Sequence, residues 1–454
     1  MSRSDALKRT LKLALYVAAF GAMLAITCVV YYFATLYTPG PPQHGYLVLT
    51  GATALVGDEL EPRGATTIVI RDGIIVQIGD DDELEPPPTA DTLDLRGYTI
   101  LPGLVDMHVH FGSPELDVGE EVGLSGLPGL ILDYVRFFPD KRRSLLEHGV
   151  TSVRSLGDDH AWVMKARYLL QSGELEGPRL FAAGPMFTTA DGHPVVTIGV
   201  DPESDGVRLP ATPDEARRAV RELAGGETRV DLIKVIQERG RTGRPLEPIE
   251  PEVLRAIVEE AHEQDLRVTA HWGTLQDLDD VLAAGVDGLE HLEPRGMIEG
   301  WPEDVLQTLV DRERSITPTL SVLDAATRRT RSALPTDVLE QMKRRVGEFH
   351  AAGGRIVVGS DAGMPGVRAG AGVHRELELL VESGLSPQNA LRSATSEAAR
   401  VLGTDHIGAI ALRRAADLVV VEGNPLRLIQ AVGNIVMVIR EGRVVVDRRG
   451  DDRG

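Results

Sequence analysis

Between residues 103 and 360, short apolar runs alternate with stretches of amphipathic helical character in a steady rhythm. Candidate strands are Gly103–His108, Thr151–Leu156, Arg179–Ala183, Asp231–Ile236, Arg267–His271, Gly288–Leu292, Ser315–Leu320 and Arg355–Ser360. Helical segments such as Pro213–Leu223, Pro251–Gln264 and Thr336–Ala352 intervene. Thr212 stands before Pro213, and Pro251 opens a first turn, as helix starts require. Eight strand–helix units over about 300 residues predict an α/β chain folded as a (β/α)8 TIM barrel. An open doubly wound sheet would more often carry a glycine-rich phosphate loop after its first strand, and none is present.

Two β-rich ends flank that rhythm. Tyr46–Val56 and Thr66–Ile78 read as strands, the second interrupted by the turn Arg71-Asp72-Gly73. Glu85-Pro86-Pro87-Pro88 reads as a rigid surface loop. Ala416–Glu422, Ile435–Arg440 and Val444–Asp447 return the same pattern at the far end. Neither end is large enough to bury a core alone. Together they predict a small β-sandwich domain built from residues 45–100 and 404–448 around a barrel of residues 101–403, with a polar tail at 449–454.

From Leu13 to Tyr37 no charged side chain occurs, and at about 1.5 Å rise per residue the run is long enough for a transmembrane helix. Arg3, Lys8, Arg9 and Lys12 precede it, and no Lys or Arg follows until Arg63. The positive-inside bias predicts a cytoplasmic tail at 1–12, a single span at 13–37 and a linker at 38–44. The protein is then membrane-anchored, with its catalytic part outside the cytoplasm. A cleaved signal peptide is the competing reading, but the apolar region is long and no clean small-x-small site follows. Cys28 is the single cysteine, so an intrachain disulfide and a thiolate metal cage are excluded. Acidic residues outnumber basic ones 68 to 48, giving a net charge of −20, the wrong sign for coating nucleic acid.

Chemistry in such barrels sits at the carboxyl ends of the strands. The first strand ends in Asp106-Met107-His108-Val109-His110, and residues two apart in a strand point to one side. His-x-His alone is a weak signal. The fifth strand ends in His271, the sixth in Glu290-His291, and the eighth in Ser360-Asp361. Four histidines and a carboxylate at corresponding strand ends predict a metal site. The fourth strand adds Lys234, inside Asp231-Leu232-Ile233-Lys234-Val235-Ile236. A charged lysine is costly in an apolar strand and is repelled by metal, whereas a neutral one can take up CO2. The resulting carbamate would bridge two cations between the histidine pairs.

Leu101-Pro102-Gly103-Leu104-Val105-Asp106-Met107-His108-Val109-His110, the Ile233-Lys234 strand, Ser360-Asp361-Ala362-Gly363, His374–Leu380, Ala394-Thr395-Ser396-Glu397-Ala398-Ala399 and Ala416-Asp417-Leu418-Val419-Val420 occur in this order. In these motifs the chain resembles the amidohydrolase superfamily, specifically its prolidase-like branch with a carboxylated lysine. The resemblance implies two divalent ions, zinc by expectation: one held by His108, His110, the Lys234 carbamate and Asp361, the second by the same carbamate, His271 and His291. It implies a metal-bridging hydroxide as nucleophile, with Asp361 as general base and then acid toward the departing amine. The implied substrate is a small molecule, a dipeptide or N-acyl amino acid, recognised through its carboxylate.

His193, in Ala190-Asp191-Gly192-His193-Pro194, resembles a substrate-contact residue, although Asp191 and Pro194 replace glycines usual in relatives. Arg154 has two readings, a partner for the substrate carboxylate or an ion pair within the barrel. Arg239, Arg241 and Arg244 read as solvated charge. Among other activities, a mononuclear deaminase or imidazolone-ring hydrolase would lack the lysine. Deaminases also place a Glu three residues past the fifth-strand histidine, where Thr274 stands. Ester, lactone or organophosphate hydrolysis fits the same metal chemistry. A membrane-tethered binding protein without turnover is disfavoured because all six ligand positions are filled. A homo-oligomer stays open.

Overall fold

Near the start of the folded chain, β1 (Tyr46–Val56), β2 (Glu61–Arg71) and β3 (Ile74–Asp80) run antiparallel in a meander. Asp72 and Gly73, at φ 51° and 80°, make the two-residue turn joining β2 to β3. Positive φ at both turn positions matches the twist of the flanking strands, and glycine adopts it without steric cost. The computed structural model describes residues 45–117, 120, 122–292, 297, 300–328 and 337–450, with residues 12, 16, 21, 23, 26, 27, 30–32 and 34–40. Most of the expected span at 13–37 lies outside these, as does most of the 1–12 tail. Among the described residues, no helix is long and apolar enough to cross a membrane.

β4 (Asp91–Asp94) and β5 (Tyr98–Pro102) pair parallel to β1. The chain then enters an α/β region. β6 (Leu104–Val109) leads through α1 (Leu127–Val135) and α2 (Pro139–Glu147) to β7 (Val150–Ser155), then α3 (His160–Gln171) and β8 (Arg179–Ala182). β9 (Met186–Phe187), α4 (Val195–Ile198) and β10 (Val207–Arg208) precede α5 (Pro213–Ala224) and β11 (Leu232–Gln237). A short hairpin, β12 (Gly240–Arg241) with β13 (Arg244–Pro245), follows. The alternation resumes with α6 (Pro251–Glu263), β14 (Arg267–Trp272), α7 (Leu275–Ala284), β15 (Gly288–Glu290), α8 (Glu303–Asp311) and β16 (Ser315–Thr317). After α9 (Leu320–Thr327) and α10 (Val338–Ala351), β17 (Arg355–Ile356) precedes α11 (Ala371–Glu382), α12 (Pro387–Ser393) and α13 (Ser396–Leu402).

β6, β7 and β8 form one parallel set, and β10, β9, β11, β14, β15, β16 and β17 another. Hydrogen bonds continue past both edges. Asp231 N–H donates to Ala182 O (2.9 Å), while Met107 N–H donates to Val358 O (2.8 Å) and Asp361 N–H to His108 O (2.7 Å). Alternation then decides what faces inward. Ile233, Val235, Val268, Ala270, Leu289 and Ile316 lie in one apolar cluster with Leu254, Ile257 and Val281 of the covering helices. Lys234, Thr269, Glu290 and Thr317 sit on the alternate side of the strands and are buried too.

Three expected strands fall two or more residues short, Arg355–Ser360 among them, which keeps only Arg355–Ile356. Ser315–Leu320 stops at Thr317, because Pro318 lacks an N–H and Thr319 takes φ 50° before α9 begins. Gly288–Leu292 stops at Glu290, because His291 takes φ 69°. The returning strands β18 (Leu418–Glu422), β19 (Ile435–Arg440) and β20 (Arg443–Asp447) join the first five through β18 on β5. Hydrogen bonding gathers strands from both ends into one eight-stranded sheet, where two facing sheets of a sandwich were expected. Register shifts in β1 bend it around its own core, which includes Leu49, Ile68, Val420 and Ile439.

Candidate active site

His108 lies in β6, and His110 follows its end, with their rings 5.5 Å apart between centroids. The ladder between β6 and the segment after β17 carries Asp361 beside both: its Oδ1 is 3.5 Å from His108 Nε2 and 3.3 Å from His110 Nε2. His291, one residue past β15, brings Nδ1 to 3.9 Å from Asp361 Oδ2, and its ring lies 4.8 Å from that of His108. His271, at the end of β14, closes on His291 at 5.1 Å and stacks against His193 at 5.0 Å. Four histidines and the aspartate thus meet at the carboxyl ends of the strands, with His193 against them.

Two of these residues hold uncommon backbone. Asp361 takes φ 59° and His291 φ 69°. Such conformations in residues with a Cβ persist only where surrounding structure enforces them. Asp106 supplies part of that enforcement for Asp361. Its buried carboxylate accepts from Ser360 N–H (2.9 Å), Ser360 Oγ (2.5 Å) and His108 N–H (3.3 Å). Gly363, at φ 108°, completes the turn where a Cβ would meet His110 Cβ at 2.9 Å. For His291, Thr319 Oγ1 hydrogen-bonds Nδ1 at 2.7 Å.

Glu290 lies beneath the histidines. Its Oε2 is 2.7 Å from His108 Nδ1, and Oε1 accepts from Arg154 Nη2 (2.6 Å) and Thr269 Oγ1 (2.5 Å). That contact makes His108 Nδ1 a donor and leaves Nε2 a free lone pair toward Asp361. Of the two readings of Arg154, the structure contains the internal ion pair. Its guanidinium also donates to Met107 O (2.6 Å), is 3 % exposed, and does not open onto the histidine cluster as a carboxylate-binding group would.

Burial dominates the electrostatics. Lys234, 2 % exposed, is pushed down to about 8 by burial, with Glu290 and Asp361 opposing and Arg154 assisting. At pH 7 that leaves roughly a tenth of the amine neutral, far more than an ordinary lysine with a pKa of about 10.4 would hold. Burial raises Asp361, but the surrounding imidazoles of His108, His110 and His291, with the hydrogen bond from His110, outweigh it and hold the carboxyl well below its usual range. His193 is pushed down to about 3 by burial and by His271, so it is a neutral imidazole at pH 7. Its Nδ1 contacts Thr197 Oγ1 at 2.5 Å.

The donor set fits a divalent metal. Ligand atoms of His108, His291 and Asp361 lie within 4.8 Å of one another. Asp361 Oδ1 is buried without a hydrogen-bond partner. Ligands about 2.0–2.2 Å from a tetrahedral ion stand about 3.3 Å apart, close to the separations of Asp361 from His108 and His110. Imidazole and carboxylate together suit zinc among other first-row ions. His271 Nε2 faces Glu238 Oε2 at 3.2 Å, a neighbour the sequence did not single out. Asp106 and Glu290 were likewise missed, although each directly precedes or lies two before a histidine. A separate cavity of about 550 Å³ opens at the amino ends of the strands. Its arginines are held within the protein, Arg314 by Asp287 and Arg267 by backbone carbonyls.

The amidohydrolase family matches residues 99–445. Ochratoxinase from Aspergillus niger is 26% identical over 408 residues, covering 83% of this chain and 81% of that protein. A crystal structure of a Xaa-Pro dipeptidase with bound methionine in the active site superposes with a TM-score of 0.74 at 25% identity, covering 88% of this chain and 99% of the other. A prolidase complexed with N-methylphosphonate-L-proline gives a TM-score of 0.73 at 27% identity, covering 89% and 100%.

Proposed function

The chain belongs to the amidohydrolase family and is a hydrolase acting on C–N bonds; from that premise we propose that it is a binuclear, metal-dependent amidohydrolase cleaving a dipeptide or N-acyl amino acid. The observation that carries this reading is the convergence of His108, His110, His291 and Asp361 above a buried Lys234. One ion would be held by His108, His110, carboxylated Lys234 and Asp361, the other by the carbamate, His271 and His291. Zinc is the expected ion, since imidazole and carboxylate ligands suit it. When bound, such ions polarise a carbonyl and lower the pKa of water into the neutral range.

The chain's own residues do the rest. Asp361, a carboxylate at any working pH, accepts a proton at a carboxyl oxygen from the attacking water and returns it to the leaving nitrogen. His193 stands beside His271, where a neutral N–H holds the substrate carbonyl or carboxylate. Arg154 fixes Glu290, and Glu290 fixes His108. Substrates of this chemistry are supported by the similar structures, one with methionine bound in its active site and one complexed with N-methylphosphonate-L-proline. The strand hydrogen bonds from Met107 to Val358 and from Asp231 to Ala182 support an eight-stranded barrel as the frame. The uncharged run 13–37, following basic residues, supports a single-span anchor with the enzyme outside the cytoplasm.

The test is a panel of Xaa–Xaa dipeptides and N-acyl amino acids, assayed with metal quantified per chain. Turnover of one of these classes with two ions bound is the expected result. Turnover confined to esters or lactones, or a single ion per active chain, would overturn it.

A further inference from the structure

α1 is strongly apolar, Leu-Pro-Gly-Leu-Ile-Leu-Asp-Tyr-Val, yet none of its residues is buried. Leu127, Ile131 and Val135, spaced four apart on one face, are 39%, 61% and 44% exposed, and Leu124 before them is 87% exposed. An exposed contiguous stripe of this kind marks a docking surface. Its position identifies the occupant. Arg136, which ends α1, donates to Thr35 Oγ1 and lies 5.7 Å from the Tyr31 ring. Arg142 donates to Tyr37 O (2.9 Å), and Glu176 N–H to the same oxygen (3.0 Å). The uncharged run 13–37 therefore leaves the enzyme against the end of α1.

The same surface adjoins the site. Tyr134 of α1 stacks on Trp162 at 4.9 Å, in the first turn of α3 just past the carboxyl end of β7. α4 begins two residues after His193, which stacks on His271, and exposes Val196 (44%) and Ile198 (62%). Apolar side chains thus stand outward from two segments at the carboxyl ends of the strands, the end bearing the histidines.

We propose that the α1 stripe, with α4, is a bilayer-docking surface that seats the mouth of the active site on the membrane leaflet next to the anchor. This rests on the single-span reading of residues 13–37. Large aliphatic side chains on a short amphipathic segment partition into the headgroup–acyl boundary, and a tether beside them makes that contact intramolecular. The opposite face differs: Asp311 and Glu313, at the amino ends of the strands, are exposed and charged.

The experiment uses the full chain carrying Cys28→Ser and a single environment-sensitive fluorophore at Ile131→Cys, reconstituted in phosphatidylcholine vesicles with or without brominated acyl chains. A control carries the label at Asp311→Cys. The label at 131 is expected to lose half or more of its emission to the bromines, and the label at 311 none. A chain that floats with vesicles but shows no quenching at 131 overturns the docking and leaves the anchor standing. A chain that fails to float overturns both. Energy transfer between labelled chains that persists on dilution in lipid, without bromine quenching, assigns the stripe to a second copy and also overturns the proposal.

Discussion

At the scale of single residues, an inward-facing lysine was legible because period two in a strand is rigid. With Ile233 and Val235 packed on helices, Lys234 had nowhere else to point. What it faces was not legible, because Glu290 and Arg154 are distant in sequence and meet it only through the pairing of the parallel strands. Lys234→Ala is expected to abolish turnover and leave fewer than two metal ions per chain by elemental analysis; full turnover would remove the bridging role. Asp361→Asn should retain fold and much of the metal while turnover falls by about 10²–10⁴-fold. Glu290→Gln is more discriminating. It removes the acceptor that orients His108, so metal affinity should fall about 10–100-fold in a competition titration. Because it also leaves Arg154 underpaired in the interior, the thermal midpoint must be recorded beside it.

Among the elements, helix starts were easier to place than strand ends. Thr212 accepts from Glu215 N–H, and Pro251 opens α6, both local signals. The end of β16 depended on Thr319 entering a left-handed conformation that no propensity announces. α9 begins there without a side-chain cap of its own. Glu376 from α11 serves instead, accepting from Leu320 N–H (2.9 Å) and Ser321 N–H (2.7 Å) in the interior. Its carboxyl is pushed up to about 7 by burial, against those two bonds. Glu376→Ala strands two buried donors and should cost about 1–3 kcal/mol by urea denaturation. An unchanged midpoint would mean that α9 is held by packing alone. Since Thr319 also holds His291, a loosened α9 should reach the site as weaker metal retention.

The whole molecule joins a sheet made from both chain ends to the α/β frame, and His374 sits at that junction. Its Nε2 donates to His148 O (2.8 Å), its ring lies 5.4 Å from that of His148, and a Cβ placed on Gly433 of the returning segment would stand 3.5 Å from its Nδ1. The gathering of both ends was readable from matching β-rich composition, but the role of this histidine was not, because its partners come from two other segments. Burial pushes His374 down to about 4, with His148 O opposing and the His148 charge assisting. The unfolded chain holds this imidazole near its ordinary value of about 6.5, so between pH 6.5 and 4 the unfolded state binds the extra proton. Stability from this group is complete above 6.5 and is lost as pH falls toward 4. His374→Gln does not titrate. The difference in unfolding free energy between the wild-type and His374→Gln chains should therefore shrink on going from pH 7 to pH 4.5, by an amount bounded at about 3 kcal/mol. Urea titrations at the two pH values measure it directly. A difference that stays constant would place a freely protonating histidine at the junction, and the contact between sheet and α/β frame would then be set by the apolar cluster of Val419, Ile435 and Val432 alone.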